Sequence, residues 1–134
     1  GWRAHPDYRG SQSIDAVAYG SLSGVDHPGR AFLAQVIAIR YEGPKSKAAA
    51  SLVGLGDAEL TQRARMIGTL FRVAYPMTAA MPGVLPRIRF EVVGDVLSLV
   101  LPTDLAFLDG EHLQNRFDTF AGAVGFKTAK IRVL

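Results

Sequence analysis

The period of the hydrophobic pattern changes once along this chain, at Pro86. Before it, apolar residues recur at the three-and-four spacing of helices; after it, Arg87-Ile-Arg-Phe-Glu-Val-Val alternates at period two. Gly94-Asp95 supplies a two-residue turn of the kind that takes glycine first, and Val96 to Leu101 returns as a second strand. With that turn as the loop, Val92, Phe90 and Ile88 fall opposite Leu97, Leu99 and Leu101, while Arg89 and Glu91 fall opposite Val100 and Ser98. One face is wholly apolar and the other mixed, so turn and pattern agree. Pro102 ends the second strand, and Asp104 to Asp109 is expected as a loop or short turn with Leu105, Phe107 and Leu108 inward. A helix from Glu111 to Val124 should bury Leu113, Phe117, Phe120, Ala121 and Val124 and close at Gly125. Lys127 to Val133 alternates again. Because a helix returns the chain, this third strand is expected to run parallel to the second and to lie beside the first.

The part before Pro86 is organised around Val25 to Gly43. Asp26 can accept from the free amides of a first turn, and Pro28 stands where a missing N–H costs nothing. Gly43 supplies a left-handed closing residue, and Pro44 stops the helix. Phe32, Leu33, Val36, Ile37, Ile39 and Tyr41 cover nearly the whole circumference, so this helix should be buried with the others packed around it. Ser13 reads as the cap of a short helix to Tyr19, and no element is assigned to Trp2 to Ser11, an entry loop or a helix end. Ala48 to Leu55 suggests a small helix. Asp57 caps the longest one, with Leu60, Ala64, Ile67, Phe71 and Ala74 as its apolar stripe and Pro76 as a kink or stop. Met77 to Met81 could add one more turn. The fold class is therefore α+β: helices over 1–84, then a small β-β-α-β three-stranded sheet with one covering helix over 85–134.

With 134 residues, 49% hydrophobic and 20% charged, the chain has the content of a folded domain. It has no cysteine, so neither a disulfide nor a thiolate metal site is available, which suits the cytoplasm. No apolar run approaches the ~20 residues of a membrane span, and no signal-peptide pattern is present. Gly1 followed at once by Trp2, where a natural start would show Met, suggests a piece of a longer protein. A net charge of +3 permits an anionic partner but is too small to argue for specific nucleic-acid binding.

At Asp26-His27-Pro28-Gly29-Arg30-Ala31-Phe32-Leu33 the sequence resembles the C-terminal region of the exopolyphosphatase and guanosine pentaphosphate phosphohydrolase family. Trp2-Arg3-Ala4-His5-Pro6-Asp7-Tyr8-Arg9, Phe71-Arg72-Val73-Ala74-Tyr75, Pro82-Gly83-Val84-Leu85-Pro86 and Leu101-Pro102-Thr103-Asp104-Leu105 extend the resemblance over nearly the whole chain. The resemblance implies a parent hydrolase that removes terminal phosphates, with a magnesium-dependent site in two N-terminal actin-like domains not contained in these residues. It also implies a cytoplasmic homodimer whose tail holds an HD-like helical bundle and a small α/β domain. No catalytic residue and no cofactor is assigned to this chain. Its expected role is an accessory domain that contributes to polyphosphate binding and dimer assembly. The alternatives are a purely structural interaction module and, third, a residual HD-type metal phosphohydrolase.

That last chemistry needs several His and Asp ligands on one or two divalent ions. The region that should carry a His-Asp pair offers Ala18, Tyr19 and Gly20, and nothing brings His5, His27 and His112 together. Asp26 and His27 read as a cap and a first-turn residue, with anion binding at the helix start as the alternative. Arg30 and Arg40 are expected to pair with carboxylates such as Asp15 or Glu59, or to meet the N-terminal domains. If the last strand lies beside the first, Arg87, Arg89, Lys130 and Arg132 project together from the sheet face opposite the helix and could hold a polyanion; the alternative is an ordinary solvated face. Arg65 and Arg72, seven apart, form a second polyanion candidate.

Overall fold

The computed structural model describes residues 5–20, 22–55, 57–78 and 81–134. Trp2 to Ala4 of the leading motif, Ser21, Gly56 and the Ala79-Ala80 part of the turn expected after Met77 lie outside them. The chain divides into two compact units, Gly1–Thr69 and Leu70–Leu134.

In the first unit, short polar side chains set where three helices begin. Asp26 Oδ1 accepts the Gly29 amide at 2.8 Å and starts α2 (His27–Glu42), with Pro28 in its first turn. Ser46 Oγ accepts the Ala49 amide at 3.0 Å and starts α3 (Lys47–Leu52), which a 3-10 turn at Val53–Leu55 continues. Asp57 Oδ1 accepts the Leu60 amide at 2.7 Å at the head of α4 (Ala58–Thr78). The other helix, α1 (Arg9–Tyr19), has no side-chain cap: it follows a 3-10 turn at Pro6–Tyr8 closed by the Tyr8 amide on the His5 carbonyl at 2.9 Å. Because that turn supplies the first ring, the helix starts at Arg9 and Ser13 lies inside it rather than at its cap.

Packing in this unit runs through small residues. Ala31, Ala34 and Ala38 of α2 are buried with Val36 and Ile39, and α1 and α3 both pack on this helix. The expectation of an all-round buried α2 is corrected, since Leu33 and Tyr41 remain exposed on its other side. Alanines let neighbouring backbones come close, so the helix is covered where they lie, while parts of Leu33 and Tyr41 stay in water. The same cause corrects the stripe of α4. Ala64 is buried as expected, but Ile67 and Phe71 are exposed, and Thr69, Val73 and Met77 are buried in their place. A Cβ built on Gly68 would lie 2.7 Å from Ile39 Cβ, so this glycine is the point of closest approach between α4 and α2. Turning a helix by one residue, about 100°, moves the buried line accordingly. The α2 helix closes at Gly43, whose amide donates to Ile39 O at 2.8 Å; its φ of 95° is positive, but its ψ of 176° lies outside the left-handed helical well.

In the second unit β1 (Arg89–Val93) and β2 (Val96–Leu101) form the expected hairpin, with Arg89, Phe90, Glu91, Val92 and Val93 opposite Val100, Leu99, Ser98, Leu97 and Val96. Gly94 has φ 58° and Asp95 does not share its sign, so only the first turn residue needs glycine, as a type II′ turn requires. Helix α5 (Glu111–Ala123) closes at Gly125 with φ 95°, where Phe126 donates to Ala121 O at 2.8 Å and Gly125 to Gly122 O at 3.2 Å. β3 (Thr128–Val133) runs parallel to β2, but the sheet order is β1-β2-β3, so β3 lies beside β2 and not beside β1. The composition of β2 explains this. Val-Leu-Ser-Leu-Val-Leu is almost wholly apolar and is buried from Leu97 to Leu101, so it takes the centre, flanked on both sides. An edge position would have exposed it.

Leu97, Leu99 and Leu101 form the core of this unit with Leu113, Phe117 and Phe120 of α5, Leu105, Val84, and Val73 and Met77 from the last turns of α4. The chain between β2 and α5 is a 3-10 segment, Thr103–Leu108, that buries Leu105 while Phe107 points outward, contrary to expectation, at 65% exposure. Pro76 neither ends α4 nor stops at its own position: the helix continues to Thr78. A proline has no N–H for the carbonyl four residues back, here Arg72. Arg116 of α5 supplies the missing donor, with Nη1 2.9 Å from Arg72 O.

Candidate functional site

The sheet face opposite α5 is built by strand alternation. Register puts Arg89, Val100 and Arg132 in one row across the three strands, and Glu91, Ser98 and Lys130 in the next, all on that face. Three of the four predicted cations are therefore brought together, by way of the central strand rather than by direct adjacency. The fourth is not. Arg87 belongs to a 3-10 turn, Leu85–Arg87, ahead of β1, and forms a two-pronged pair with Asp104, Nη1 to Oδ2 at 2.8 Å and Nη2 to Oδ1 at 2.6 Å. The Arg87 and Ile88 amides are used by the turn, donating to Val84 O at 3.0 Å and Leu85 O at 3.1 Å, so the alternation at Arg87-Ile88-Arg89 overstated the strand by two residues.

Glu91 governs the electrostatics of the face. Its Oε1 accepts from Arg89 Nε at 2.9 Å, and its Oε2 pairs with Arg132 Nη2 on the far strand. The bridge crosses the central strand, where Ser98 and Val100 are buried. Hydrogen bonds from Arg89 and then Arg132 hold the Glu91 carboxyl below the ordinary glutamate range, against a smaller opposing effect of desolvation. Arg87 does the same for Asp104. Lys130, opposite Ser98, makes no ion pair among the described residues. The face thus carries Arg89, Lys130 and Arg132 with Glu91 among them, two arginines held in place and one free lysine. Glu91 was noted in the sequence only as a nearby charge; its alternation with Arg89 and its register against the β3 cations were the signals for the bridge.

Arg65 and Arg72 stand seven residues apart on α4. Arg65 belongs to the first unit, where it lines a cleft, and Arg72 belongs to the second. At Asp26-His27-Pro28-Gly29-Arg30 the geometry is that of a helix start. Asp26 takes the Gly29 amide, a Cβ on Gly29 would stand 2.9 Å from Asp26 Oδ1, and Arg30 Nη1 donates to the Gly20 carbonyl, tying the end of α1 to the head of α2. Arg30 thus satisfies a carbonyl rather than a carboxylate. Arg40 lies 4.1 Å from the Tyr41 ring centroid, and Glu59 pairs with Arg63 at 2.7 Å. Among the described residues no three His, Asp or Glu side chains gather where they could hold a metal ion.

Fold and face together define an α+β domain, a helical unit followed by a β-β-α-β unit with a cationic sheet face. The sequence model of the family described as exopolyphosphatase, C-terminal, matches residues 1–131, and the chain belongs to this family. No curated protein matches it at a significant level. Among the described residues no helix is long and apolar enough to cross a membrane.

Proposed function

We propose that this chain is the accessory C-terminal domain of a cytoplasmic exopolyphosphatase-like hydrolase, holding polyphosphate on the sheet face of its second unit and contributing to a homodimer. Catalysis and the magnesium ion are assigned to N-terminal domains of the same protein. The observation that carries the binding reading is the row geometry of Arg89, Lys130 and Arg132. Strands about 4.8 Å apart place the backbones of the two arginines roughly 10 Å apart with the lysine one row on, while Glu91 draws the two guanidinium groups together, so one polyanion replacing Glu91 can meet all three. Exposed ion pairs contribute little, so Glu91 keeps the arginines oriented yet yields them to successive phosphates. Assembly is supported by β1, an edge strand whose Val92 and Val93 are 59% and 69% exposed beside a half-exposed Phe90.

Titration with long-chain polyphosphate at low and moderate salt tests this. Binding should weaken steeply with salt, disappear in an Arg89→Ala, Lys130→Ala, Arg132→Ala variant, and tighten in Glu91→Gln, which removes the one competing anion. Sedimentation with Val92→Lys tests the edge strand. A specific observation favours a second reading, a structural module without ligand: Asp104 and Glu91 already satisfy three of the four predicted cations. Absence of binding at low salt would decide for it.

A further inference from the structure

The first unit contains a cleft of about 210 Å³ between the end of α2, the Pro44-Lys45-Ser46 link and the first half of α4. Two cations stand on it, Lys45 and Arg65. Among the described residues neither makes an ion pair, and no carboxylate lines the cleft. Two uncharged polar groups also line it. Gln35 is 2% exposed, in the middle of a helix, and its carboxamide nitrogen reaches the Leu52 carbonyl only at 3.5 Å. Thr61 holds a buried hydroxyl with no hydrogen-bond partner. Buried polar groups are normally satisfied, so an amide with one long bond and a hydroxyl with none are exceptions that ask for a partner.

The nearby Ser46 shows the contrast. Its hydroxyl gives its proton to Glu42 at 2.6 Å and accepts the Ala49 amide at 3.0 Å, so its capacity is used. Lys45 and Arg65 can only donate, and the Thr61 hydroxyl and the Gln35 amide nitrogen can donate beside them, so the two unpaired positive charges favour an oxyanion. Two cations match a doubly charged one. At about 210 Å³ the cleft has room for one tetrahedral oxyanion with a short substituent. Ile39, Ala50 and Val53 give the substituent an apolar wall.

We infer that this cleft binds a small dianionic phosphate, either inorganic phosphate or the head of a phosphomonoester, with Arg65 and Lys45 on its charge and Thr61 and Gln35 as hydrogen-bond donors. The site is independent of the sheet face, which lies in the other unit.

The test is a titration of the whole chain with inorganic phosphate at low ionic strength, above its second pKa, followed by backbone amide shifts. The expected result is a saturable shift centred on Lys45, Ser46, Thr61 and Arg65, with acetate at the same concentration giving none. Arg65→Gln and Lys45→Gln, both at exposed positions that leave the core intact, should each weaken binding about tenfold, the loss of one charge-assisted contact. Thr61→Val, which keeps the shape, should weaken it about threefold. An Arg89→Gln, Lys130→Gln, Arg132→Gln variant should leave phosphate binding unchanged while losing polyphosphate. A titration with glycerol phosphate distinguishes the two sources of the head, binding more tightly if the apolar wall is used. Shifts that do not saturate, that survive both charge variants, or that vanish in the sheet-face variant would overturn the assignment.

Discussion

The two units bury themselves in opposite ways. The first packs alanines and glycine: Ala31, Ala34, Ala38, Ala49, Ala64 and Gly68 line its helix contacts, and Leu33 and Tyr41 of α2 stay partly in water. The second packs leucines and phenylalanines, with Leu99, Leu101, Leu105 and Phe117 fully buried in one cluster. Small residues bring backbones close and leave little side-chain volume to fill the gaps between helices, which is where polar groups such as Gln35 and Thr61 end up beside a cleft. Large residues fill the space between helix and sheet, and the charged side chains stand on the outer face.

If that contrast is right, the second unit is injured by truncation and the first by enlargement. Phe117→Ala should cost about 3–5 kcal/mol in urea denaturation, since it empties a fully buried site where Phe90 stacks with ring centroids 6.0 Å apart. A loss under about 1 kcal/mol would mean that the core collapses into the hole, which a close-packed interior does only in part. Gly68→Ala should cost about 1–3 kcal/mol although alanine is the better helix former, because the new methyl would sit 2.7 Å from Ile39 Cβ and 3.1 Å from the Val36 carbonyl oxygen. A stabilised Gly68→Ala protein would contradict the close approach of α2 and α4.

The units also differ in how they satisfy polar backbone. The first uses side-chain caps from neighbouring residues, whereas the second repairs a proline defect from a distant element, Arg116 on Arg72 O. Arg116→Met should therefore cost about 1–3 kcal/mol by leaving that carbonyl without its donor. In a Pro76→Ala background the helix regains its own N–H, so the same change should cost less. A double-mutant cycle measures the difference; equal costs in both backgrounds would show that Arg116 acts through its packing alone.

These contrasts mark what could be read from the residues. The turn and register of the hairpin were legible because two independent signals, the Gly94-Asp95 turn and the alternation of Phe90 and Val92 against Leu97 and Leu99, fix one register. The caps at Asp26 and Asp57 were legible for the same local reason. What failed depended on distant partners. The choice between Phe71 and Val73 as the inward residue turns on Gly68 meeting Ile39, the passage of α4 through Pro76 turns on a guanidinium forty residues on, and the place of β3 turns on which strand most needs covering. The cationic face shared both characters: Arg89, Lys130 and Arg132 followed from alternation, while the loss of Arg87 to Asp104 and the Glu91 bridge needed tertiary contacts.

The smallest effect concerns those bridges, and its sign follows from linkage. Glu91 and Asp104 are held below their ordinary pKa in the folded protein by Arg89 with Arg132, and by Arg87. A depressed folded pKa adds stability that is fully present above the unfolded values, about 4.3 for Glu and 3.9 for Asp, and that is lost as pH falls through the folded ones. The second unit should therefore lose a little stability on acidification below about pH 4, whereas from neutrality down to about pH 5 these two groups contribute no slope. Urea denaturation across that range, repeated with Glu91→Gln and Asp104→Asn together, isolates the contribution: the paired variant should show a shallower acid limb. Glu91 is partly and Asp104 largely in contact with water, where screening weakens ion pairs, so the effect must be small. An acid limb that Glu91 and Asp104 control strongly would describe a locked structural bridge, and would count against a face that releases its arginines to phosphate.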